Sequence, residues 1–252
     1  MGRGMGKHER HAGARFEVEA GTTVPFVLTH SPSHLDFPAA IDAAAALEKT
    51  TRFWRDWSGK SSGPGAWSEA VERSLITLKG LIYEPTGGIV AAPTTSLPEQ
   101  IGGVRNWDYR ICWLRDATLT LLALMNAGYY DEASAWRGWL VRAVAGRPDQ
   151  AQIMYGLAGE RRLTEWEIDW LPGFANSRPV RIGNAAHLQT QLDIYGELAD
   201  ALQHARKGRL APADEAWAMQ RTLTEHVEKI WRTRMRASGR CAANRNTSRI
   251  PR

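Results

Sequence analysis

The chain has 252 residues, and its 32 Lys and Arg residues against 27 Asp and Glu residues give a formal net charge of +5. Six of the arginines lie in residues 234–252, and without that segment 26 basic residues face 27 acidic ones. A basic surface for nucleic acid or an anionic membrane is therefore not expected over the rest of the chain. Two cysteines, Cys112 and Cys241, make no disulfide framework, and no apolar run approaches the about 18 residues of a membrane span. These features predict a cytoplasmic protein with neither a nucleic-acid nor a membrane partner.

The N-terminal part of the chain shows a strand period followed by a helical period. Residues 14–30 alternate apolar and polar side chains around a Gly-Thr-Thr turn, which predicts a two-stranded hairpin. An isolated hairpin is marginally stable in water, so this one is expected to belong to a larger sheet. A Pro-rich connector follows, and a helix is expected from Ile41 onward with Asp42 as its N-cap.

Helices and long loops alternate through the remainder of the chain. Apolar residues at helical spacing predict five further helices, which run from Trp67 to Tyr83, from Asp116, from Asp131, from 183 to about 207 and from 213 to about 233. Loops of residues 84–105 and 147–182 separate them, and loops of that length inside domains are usually functional. Helical hairpins separated by long loops favour a helical toroid over a compact bundle.

One aromatic and charged motif, "NWDYRICWLRDATLTLL" at residues 106–122, precedes a predicted helix. In one interpretation Asp116 is the N-cap of that helix and the rings belong to the core. In the other, Tyr109 and Trp113 offer flat apolar faces to a pyranose ring, while Arg115 and Asp116 donate to and accept from its hydroxyls. The residue types alone leave both interpretations open.

A second motif, "EWEIDWLPGFANSRPVRIGNAAHLQTQLDIYGE" at residues 165–197, begins with three closely spaced acids, Glu165, Glu167 and Asp169. They are candidates for paired catalytic acids, although such a group is more often a solvated face. The two arginines of "SRPVRIGN" are candidate ion-pair partners for them, and the lone His187 is expected to be exposed or hydrogen-bonded. Gly-rich phosphate loops and zinc-type Cys/His spacings are absent from the sequence, so neither cofactor nor metal is expected.

The motifs resemble those of a known family. The stretches "PTGGIVAAPTTSLPEQIGGVRNWDYRICWLRDATLTLLALMNAGY", "QIMYGLAGE" and "SRPVRIGNAAHLQTQLDIYGEL" are similar to bacterial members of glycoside hydrolase family 15, the glucoamylase, glucodextranase and trehalase-like group. The resemblance runs from about residue 14 to 233. It implies a mainly α fold, an (α/α)6 barrel preceded by a β-sandwich, and hydrolysis of terminal α-glucosidic bonds with inversion. Residues 1–38 would then be a sandwich remnant with its connector, and residues 39–233 the first part of the barrel.

The resemblance also implies roles for residues of the first motif. Tyr109 would be the stacking platform for the terminal glucose, with Trp113 beside it, and Arg115 and Asp116 would bind the glucose hydroxyls. Arg178 resembles a further arginine on the substrate side. An α-glucoside or oligosaccharide is the expected partner, and starch-type oligosaccharides, dextrans and trehalose all remain open.

The catalytic pair of an inverting enzyme is not recognisable in the chain. Such enzymes place two carboxyl groups about 6.5 to 9.5 Å apart, one as general acid and one as general base. The family's acid follows the helix that corresponds to residues 213–233, and its base lies in later helices. One coding string for residues 234–252, preceded by one added C and read in the shifted frame, gives "PDAGIWEVRGEPQHFTYSK", which matches the family's acid segment. We therefore expect residues 234–252 to be a disordered frameshift tail, with the general acid at the position of Arg240, and this chain to be an inactive fragment.

Two alternatives belong to other functional classes. One is a non-catalytic carbohydrate-binding or regulatory module of the same fold. The other is a nucleic-acid binder that uses the arginines of residues 234–252, which would show strongly salt-dependent affinity for DNA.

Overall fold

The computed structural model describes residues 15–61, 65–144, 148–208 and 210–232. The predicted tail, and with it the position of Arg240, lies outside the described residues. The described part is mainly helical, and the chain divides between Trp57 and Ser58 into two units. Among these described ranges, no helix is both long and apolar enough to cross a membrane.

The first unit contains the predicted hairpin segment and most of the first helix. Thr22 N–H donates to the Glu19 carbonyl at 3.1 Å, and the rings of Phe16 and Phe26 lie 5.2 Å apart across this turn. The turn is thus present, but described residues 15–30 contain no β-strand, so the two predicted strands are wrong. Pro25 lacks the N–H that a strand ladder requires, and these residues have no sheet to join. The sandwich remnant stays a prediction.

Helix α1 (Ala43–Ser58) begins where the sequence indicated. The Asp42 carboxylate accepts hydrogen bonds from the backbone N–H groups of Ala44 at 2.9 Å and Ala45 at 3.1 Å. These N–H groups have no partner within the helix, and the side chain satisfies both. The predicted cap is confirmed.

The second unit contains the other helices, α2 (Ser68–Lys79), α3 (Leu114–Asn126), α4 (Tyr130–Ala143), α5 (Asp193–Lys207) and α6 (Asp214–Ile230). Helix α3 packs against α2, α4 and α5, and α5 also packs against α6. The apolar content of α3 follows from this central position, since Leu114, Leu121 and Leu124 are at most 1% exposed. These helices confirm the mainly α fold, while closure into an (α/α)6 barrel stays a prediction.

Short antiparallel strand pairs occupy the long loops between the helices. Strand β1 (Ile82–Tyr83) pairs with β2 (Gly88–Ile89), β3 (Thr95–Pro98) with β4 (Asn106–Asp108), β5 (Cys112–Trp113) with β6 (Met154–Tyr155), and β7 (Trp166–Glu167) with β8 (Arg181–Ile182). Three 3-10 turns accompany them, at Pro148–Gln150, Phe174–Asn176 and Ala185–Leu188. The long loops are therefore ordered chain segments that pair with one another.

Helix α5 begins ten residues later than the sequence indicated. The predicted start near residue 183 is wrong because Gly183 has a φ of +75°, a left-handed conformation that does not continue a right-handed helix. A 3-10 turn follows instead, and the Asn184 side chain caps it by accepting from Ala186 N–H at 3.1 Å. The regular helix then starts at Asp193.

Tryptophan contributes directly to the core of the second unit. Trp136 and Trp139 are buried on α4 with ring centroids 6.5 Å apart, and Trp139 also packs edge-on against Tyr155 at 6.1 Å. The indole N–H of Trp139 donates to the Leu157 carbonyl at 2.9 Å. Two of the 11 tryptophans of the chain therefore have a packing role.

Candidate functional site

The segment that leads into α3 carries most of the predicted site residues. Strand β5 pairs with β6 through Cys112 and Tyr155 and through Trp113 and Met154. Leu114 N–H donates to the Ile153 carbonyl at 3.0 Å, so the ladder continues to the first residue of α3. Cys112 and Leu114 are fully buried, whereas Trp113 between them is half-buried. This alternation is expected for an extended segment and fixes Trp113 at the edge of the core.

Arg115 and Asp116 form a partly exposed ion pair in the first turn of α3. Arg115 Nη2 lies 3.3 Å from Asp116 Oδ2, with the two side chains 36% and 42% exposed. The guanidinium carbon lies 5.6 Å from the centroid of the Trp113 ring. Among the described residues the Arg115 side chain makes no other hydrogen bond, although a guanidinium has five N–H donors. Most of its donors are therefore available to a ligand.

The interpretation of Asp116 as the N-cap of this helix is wrong. Helix α3 begins at Leu114, the cap position belongs to Trp113, and no side chain makes a capping hydrogen bond there. Asp116 lies in the first turn, where its negative charge still interacts favourably with the helix dipole. Its carboxylate is thus engaged by Arg115 rather than by the backbone.

Tyr109 lies on the segment between β4 and β5 and is half-buried. Its carbonyl accepts from Ala92 N–H at 3.0 Å, and its N–H donates to the Thr94 carbonyl at 3.4 Å. These two hydrogen bonds continue the pairing of the β3 and β4 segments. They fix the backbone of Tyr109 four residues before Trp113.

Arg178 is exposed on the segment before β8. The carbonyls of its neighbours Ser177 and Pro179 accept from Asn106 Nδ2 at 3.2 and 3.3 Å, which anchors this segment against β4. No interaction in the described part of the chain joins the Arg178 side chain to Arg115. The structure therefore brings Trp113, Arg115 and Asp116 together, whereas the place of Arg178 in the site stays a prediction.

A buried carboxylate that sequence reasoning missed connects these loops. Asp108 is 4% exposed and accepts from Arg110 Nε at 3.0 Å, from Arg110 Nη2 at 2.9 Å and from Gly183 N–H at 3.1 Å. The hydrogen bond to Asp108 raises the pKa of Arg110 despite desolvation. The available sequence signal for this ion pair was "NWDYR", in which an acid lies two positions before an arginine. Asp108 thereby links β4 to the turn that follows β8.

Arg181 forms the ion pairs that were one interpretation of the second motif. Its Nη2 donates to Glu167 Oε1 at 3.2 Å, and its Nε lies 3.4 Å from Glu165 Oε1 without hydrogen-bond geometry. It also donates to two backbone carbonyls of the β4 segment at 3.0 Å, and its guanidinium stacks on Trp107 at 4.5 Å. These contacts confirm the ion-pair interpretation for Arg181, with Glu165 and Glu167 as its partners.

The other two side chains of the second motif also have ordinary roles. Asp169 is exposed, as a solvated face predicts. His187 Nδ1 lies 2.9 Å from the Asn184 carbonyl, so the histidine is hydrogen-bonded. Within the described ranges no group of three or more His, Cys, Asp or Glu side chains could hold a metal ion.

Glu197 on α5 is a further charged residue near the cluster, and sequence reasoning missed it. Burial raises the pKa of its carboxyl, and the charges of Asp193 and Asp116 act in the same direction. The Arg115 guanidinium and a hydrogen bond with Thr118 lower it. Its Oε2 atom is shielded from solvent and has no hydrogen-bond partner among the described residues. A lone acid on a helix, far along the chain from residues 113–116, carries no spacing signal.

Comparison with known proteins assigns the chain to a family. The family model of glycosyl hydrolases family 15 matches residues 65–236. The chain belongs to glycosyl hydrolases family 15. Residues 109–116 and the Glu197 region both lie inside this match, so the cluster at the start of α3 is part of the family 15 region.

Curated relatives of this family 15 chain carry the name trehalase. A trehalase of Mycolicibacterium smegmatis is 40% identical over 90% of this chain and 35% of its own length. A trehalase of Mycobacterium tuberculosis is 38% identical over 90% of this chain and 34% of its own, and one of Thermoplasma acidophilum is 35% identical over 90% and 39%. The chain thus spans between a third and two fifths of the length of these relatives. No solved structure matches it.

Proposed function

We propose that residues 39–233 carry the terminal-glucose site of a hydrolase that cleaves α-glucosidic bonds with inversion at the anomeric carbon. The observation that carries the proposal is the Arg115 guanidinium, which lies between the Asp116 carboxylate and the Trp113 ring with most of its donors unused. Because several relatives are named trehalase, trehalose is the first substrate to test.

The cluster offers complementary groups to a glucose unit. Asp116 supplies acceptors and Arg115 supplies donors, so the pair can meet two neighbouring hydroxyls of one sugar. Trp113 adds an apolar face at the same position, and Tyr109 is proposed as the stacking platform for the ring. Arg178, which is exposed and three residues before Arg181, is proposed to reach the more distant part of a bound oligosaccharide.

We propose further that this chain binds a glucoside without hydrolysing it. An inverting enzyme needs a general acid and a general base on opposite sides of the bond. In the described part of the chain, Asp108 is saturated by Arg110 and Gly183, Asp116 is engaged by Arg115, and the free oxygen of Glu197 is shielded from solvent. Loss of general acid catalysis alone lowers a rate by about 10²- to 10⁴-fold.

Titration calorimetry of the chain with trehalose and with glucose tests the binding proposal. Asp116→Asn and Arg115→Lys are expected to abolish detectable binding, because asparagine loses the charged acceptor and lysine loses the planar fork. The matched control is Glu225→Gln, an exposed position on α6, which should bind as the wild type does. Cellobiose, whose bond is β-linked, should bind more weakly than trehalose.

The stability of the same variants distinguishes a loss of sugar binding from a loss of folding. Since the Arg115–Asp116 pair is partly exposed and its ion pair is long, both variants should unfold within about 1 kcal/mol of the wild type. Variants that bind trehalose normally, or a wild-type chain that binds no glucoside, would contradict the proposal. Glucose release from trehalose by the wild-type chain would contradict the absence of hydrolysis.

The frameshift proposal has its own test. The family match ends at residue 236, three residues into the predicted tail, which supports a change of frame near residue 233. Resequencing codons 225 to 260 decides whether the shift is present. A confirmed frame would favour the alternative of a non-catalytic carbohydrate-binding module, whereas an added base would place a Trp-Glu pair where Gly239 and Arg240 stand.

A further inference from the structure

A cavity of about 300 Å³ lies between helices α4, α5 and α6, and none of the proposed sugar-binding residues lines it. One wall of the cavity is apolar, because Leu202 and Ala205 of α5 and Ala216 of α6 line it and are at most 6% exposed. A space of this size holds about ten water molecules, or a ligand with roughly as many non-hydrogen atoms. The cavity is therefore large enough for a small organic molecule.

Two guanidinium groups belong to the same cavity. Arg137 on α4 donates through Nη1 to the Ala211 carbonyl at 2.7 Å, beside Pro212, which also lines the cavity. The guanidinium carbon of Arg206 on α5 lies 5.0 Å from the centroid of the Trp217 ring, and both residues line the cavity. Because Trp217 is 53% exposed, this side of the cavity is open to solvent. A ligand can thus enter on the side that carries Arg206.

The hydrogen-bond partners of these two arginines are uncharged. Arg206 donates to the side-chain carbonyls of Gln203 and Gln220, and Arg137 donates to a backbone carbonyl. Neither arginine forms an ion pair with any described carboxylate, whereas Arg181 does. The cavity therefore combines an apolar wall with two positive charges that no carboxylate neutralises through direct contact.

Asp214, in the first turn of α6, is the one acid among the described residues that line the cavity. Its side chain is exposed, so solvent and salt screen its charge. One screened carboxylate and two guanidiniums leave the cavity with an excess of positive charge. An anion is therefore favoured over a cation as its occupant.

We propose that this cavity binds a small carboxylate with an apolar body, an aryl or alkyl monocarboxylate of about ten non-hydrogen atoms. The carboxylate accepts hydrogen bonds from Arg137 and Arg206, since the planar fork of a guanidinium matches its two oxygens. The apolar body lies against Leu202 and Ala216 and leaves water. This site is separate from the proposed glucoside site and does not depend on it.

Titration calorimetry of the full chain tests the site with three probes: cinnamate, the uncharged cinnamamide and octanoate. We expect at least one of the two carboxylates to bind, and cinnamate to bind at least about tenfold more tightly than cinnamamide if the body is aryl. Tighter binding of octanoate than of cinnamate would identify an alkyl body instead. Absence of binding by both carboxylates would overturn the inference, as would inorganic sulfate that binds as tightly as either of them.

Variants of the lining residues place the bound carboxylate. Arg137→Gln and Arg206→Gln should each weaken its binding by about tenfold, the effect of losing one hydrogen bond to a charged group. The matched control is Arg221→Gln, an exposed position on α6, which removes the same charge away from the cavity and should bind as the wild type does. Arginine variants that bind as tightly as this control would overturn the inference.

A gain of affinity cannot be explained by a loss of folding. Asp214→Asn removes the carboxylate that repels the ligand and should tighten binding by about two- to fivefold, the range for an exposed charge pair. An Asp214→Asn variant that does not bind more tightly than the wild type would contradict the proposed position of the ligand.

The Arg115 cluster is the competing place for a carboxylate, because its guanidinium also has unused donors. We expect the affinity for the carboxylate to be the same in Arg115→Gln as in the wild type, and the same with and without trehalose. A loss of affinity in either case would place the carboxylate at Arg115 and overturn the inference. A chain that binds the carboxylate but no glucoside would overturn only the proposed function.

Discussion

Arg178 and Arg181 lie three positions apart and have opposite surroundings. Arg178 is exposed, whereas the Arg181 side chain is 12% exposed, with ion pairs to Glu165 and Glu167 and hydrogen bonds to two backbone carbonyls. The contacts of Arg181 use the planar, forked geometry of guanidinium, which an ammonium group does not reproduce. The two arginines therefore have separable effects on stability.

We expect Arg181→Lys to lower the free energy of unfolding by about 1 to 3 kcal/mol, because carbonyl groups of the β4 segment lose their donors. The matched variant Arg178→Lys should change it by less than about 0.5 kcal/mol. Urea denaturation followed by tryptophan fluorescence measures both. Equal losses in the two variants would mean that Arg178 has a structural contact like that of Arg181.

At the scale of residues, the sequence predicted which candidate side chains lie together where they are neighbours along the chain. Trp113, Arg115 and Asp116 form one motif, and their contact follows from adjacency at the start of a helix. Glu197 was not predicted because only the packing of α5 on α3 brings it there. Arg178 was expected in the site through the family resemblance alone, and its role there stays a prediction.

At the scale of elements, the helices were predicted by their apolar period and the short strands were not. Helices α4 and α6 lie within one to three residues of the predicted limits, since each has a regular apolar stripe. Strands of two to four residues have too few positions to show an alternating pattern. The start of α5 was misplaced because Gly183 interrupts the helix. Its conformation is set by contacts with β4 and with residues 163–164, which the sequence pattern does not show.

Gly183 and Gly196 provide a matched pair of glycine substitutions. A Cβ at Gly183 would lie 2.1 Å from the Thr164 carbonyl oxygen, and the residue has a φ of +75°. We expect Gly183→Ala to lower the free energy of unfolding by at least about 1 to 3 kcal/mol from the backbone conformation alone. The substitution should also weaken glucoside binding, because a shifted backbone would move the N–H of residue 183 away from Asp108.

Gly196→Ala is the control, since a Cβ there meets open space on α5. Alanine favours a helix interior over glycine by about 1 kcal/mol, so this variant should be more stable than the wild type. Thermal unfolding by circular dichroism measures both effects. A destabilised Gly196→Ala, or a neutral Gly183→Ala, would contradict the described conformation of these segments.

At the scale of the whole molecule, several weak acids are kept protonated by burial. Desolvation raises the pKa of the Cys112 thiol to about 12. It also raises the pKa values of Tyr129, Tyr155 and Tyr195 above their ordinary value. In the unfolded chain a thiol ionises near about 8.5. Because these groups bind their protons more tightly in the folded chain, they add to the free energy of unfolding. This contribution is complete below about pH 8 and is lost as pH rises toward the pKa values of the folded chain.

We expect the free energy of unfolding to fall as pH is raised from about 8 to 10.5, because the unfolded chain releases protons that the folded chain retains. In Cys112→Ala the part of this fall between about pH 8.5 and 10 should disappear, since the tyrosines of the unfolded chain ionise only near about 10. Urea titrations at matched pH values give the slope. An identical slope in both proteins would mean that the thiol is not shielded.

Because Cys112, beside Trp113, is completely buried, the rate at which its thiol reacts measures how often the core opens. In a Cys241→Ser background, a thiol reagent can modify Cys112 only in molecules that have transiently opened. A sugar that binds the folded chain lowers that population by a factor of 1 + [L]/Kd, so added trehalose should lower the labelling rate by the same factor. Asp116→Asn should remove this protection. The reaction rate of one cysteine would in this way identify the sugar that the chain recognises, without any measurement of turnover.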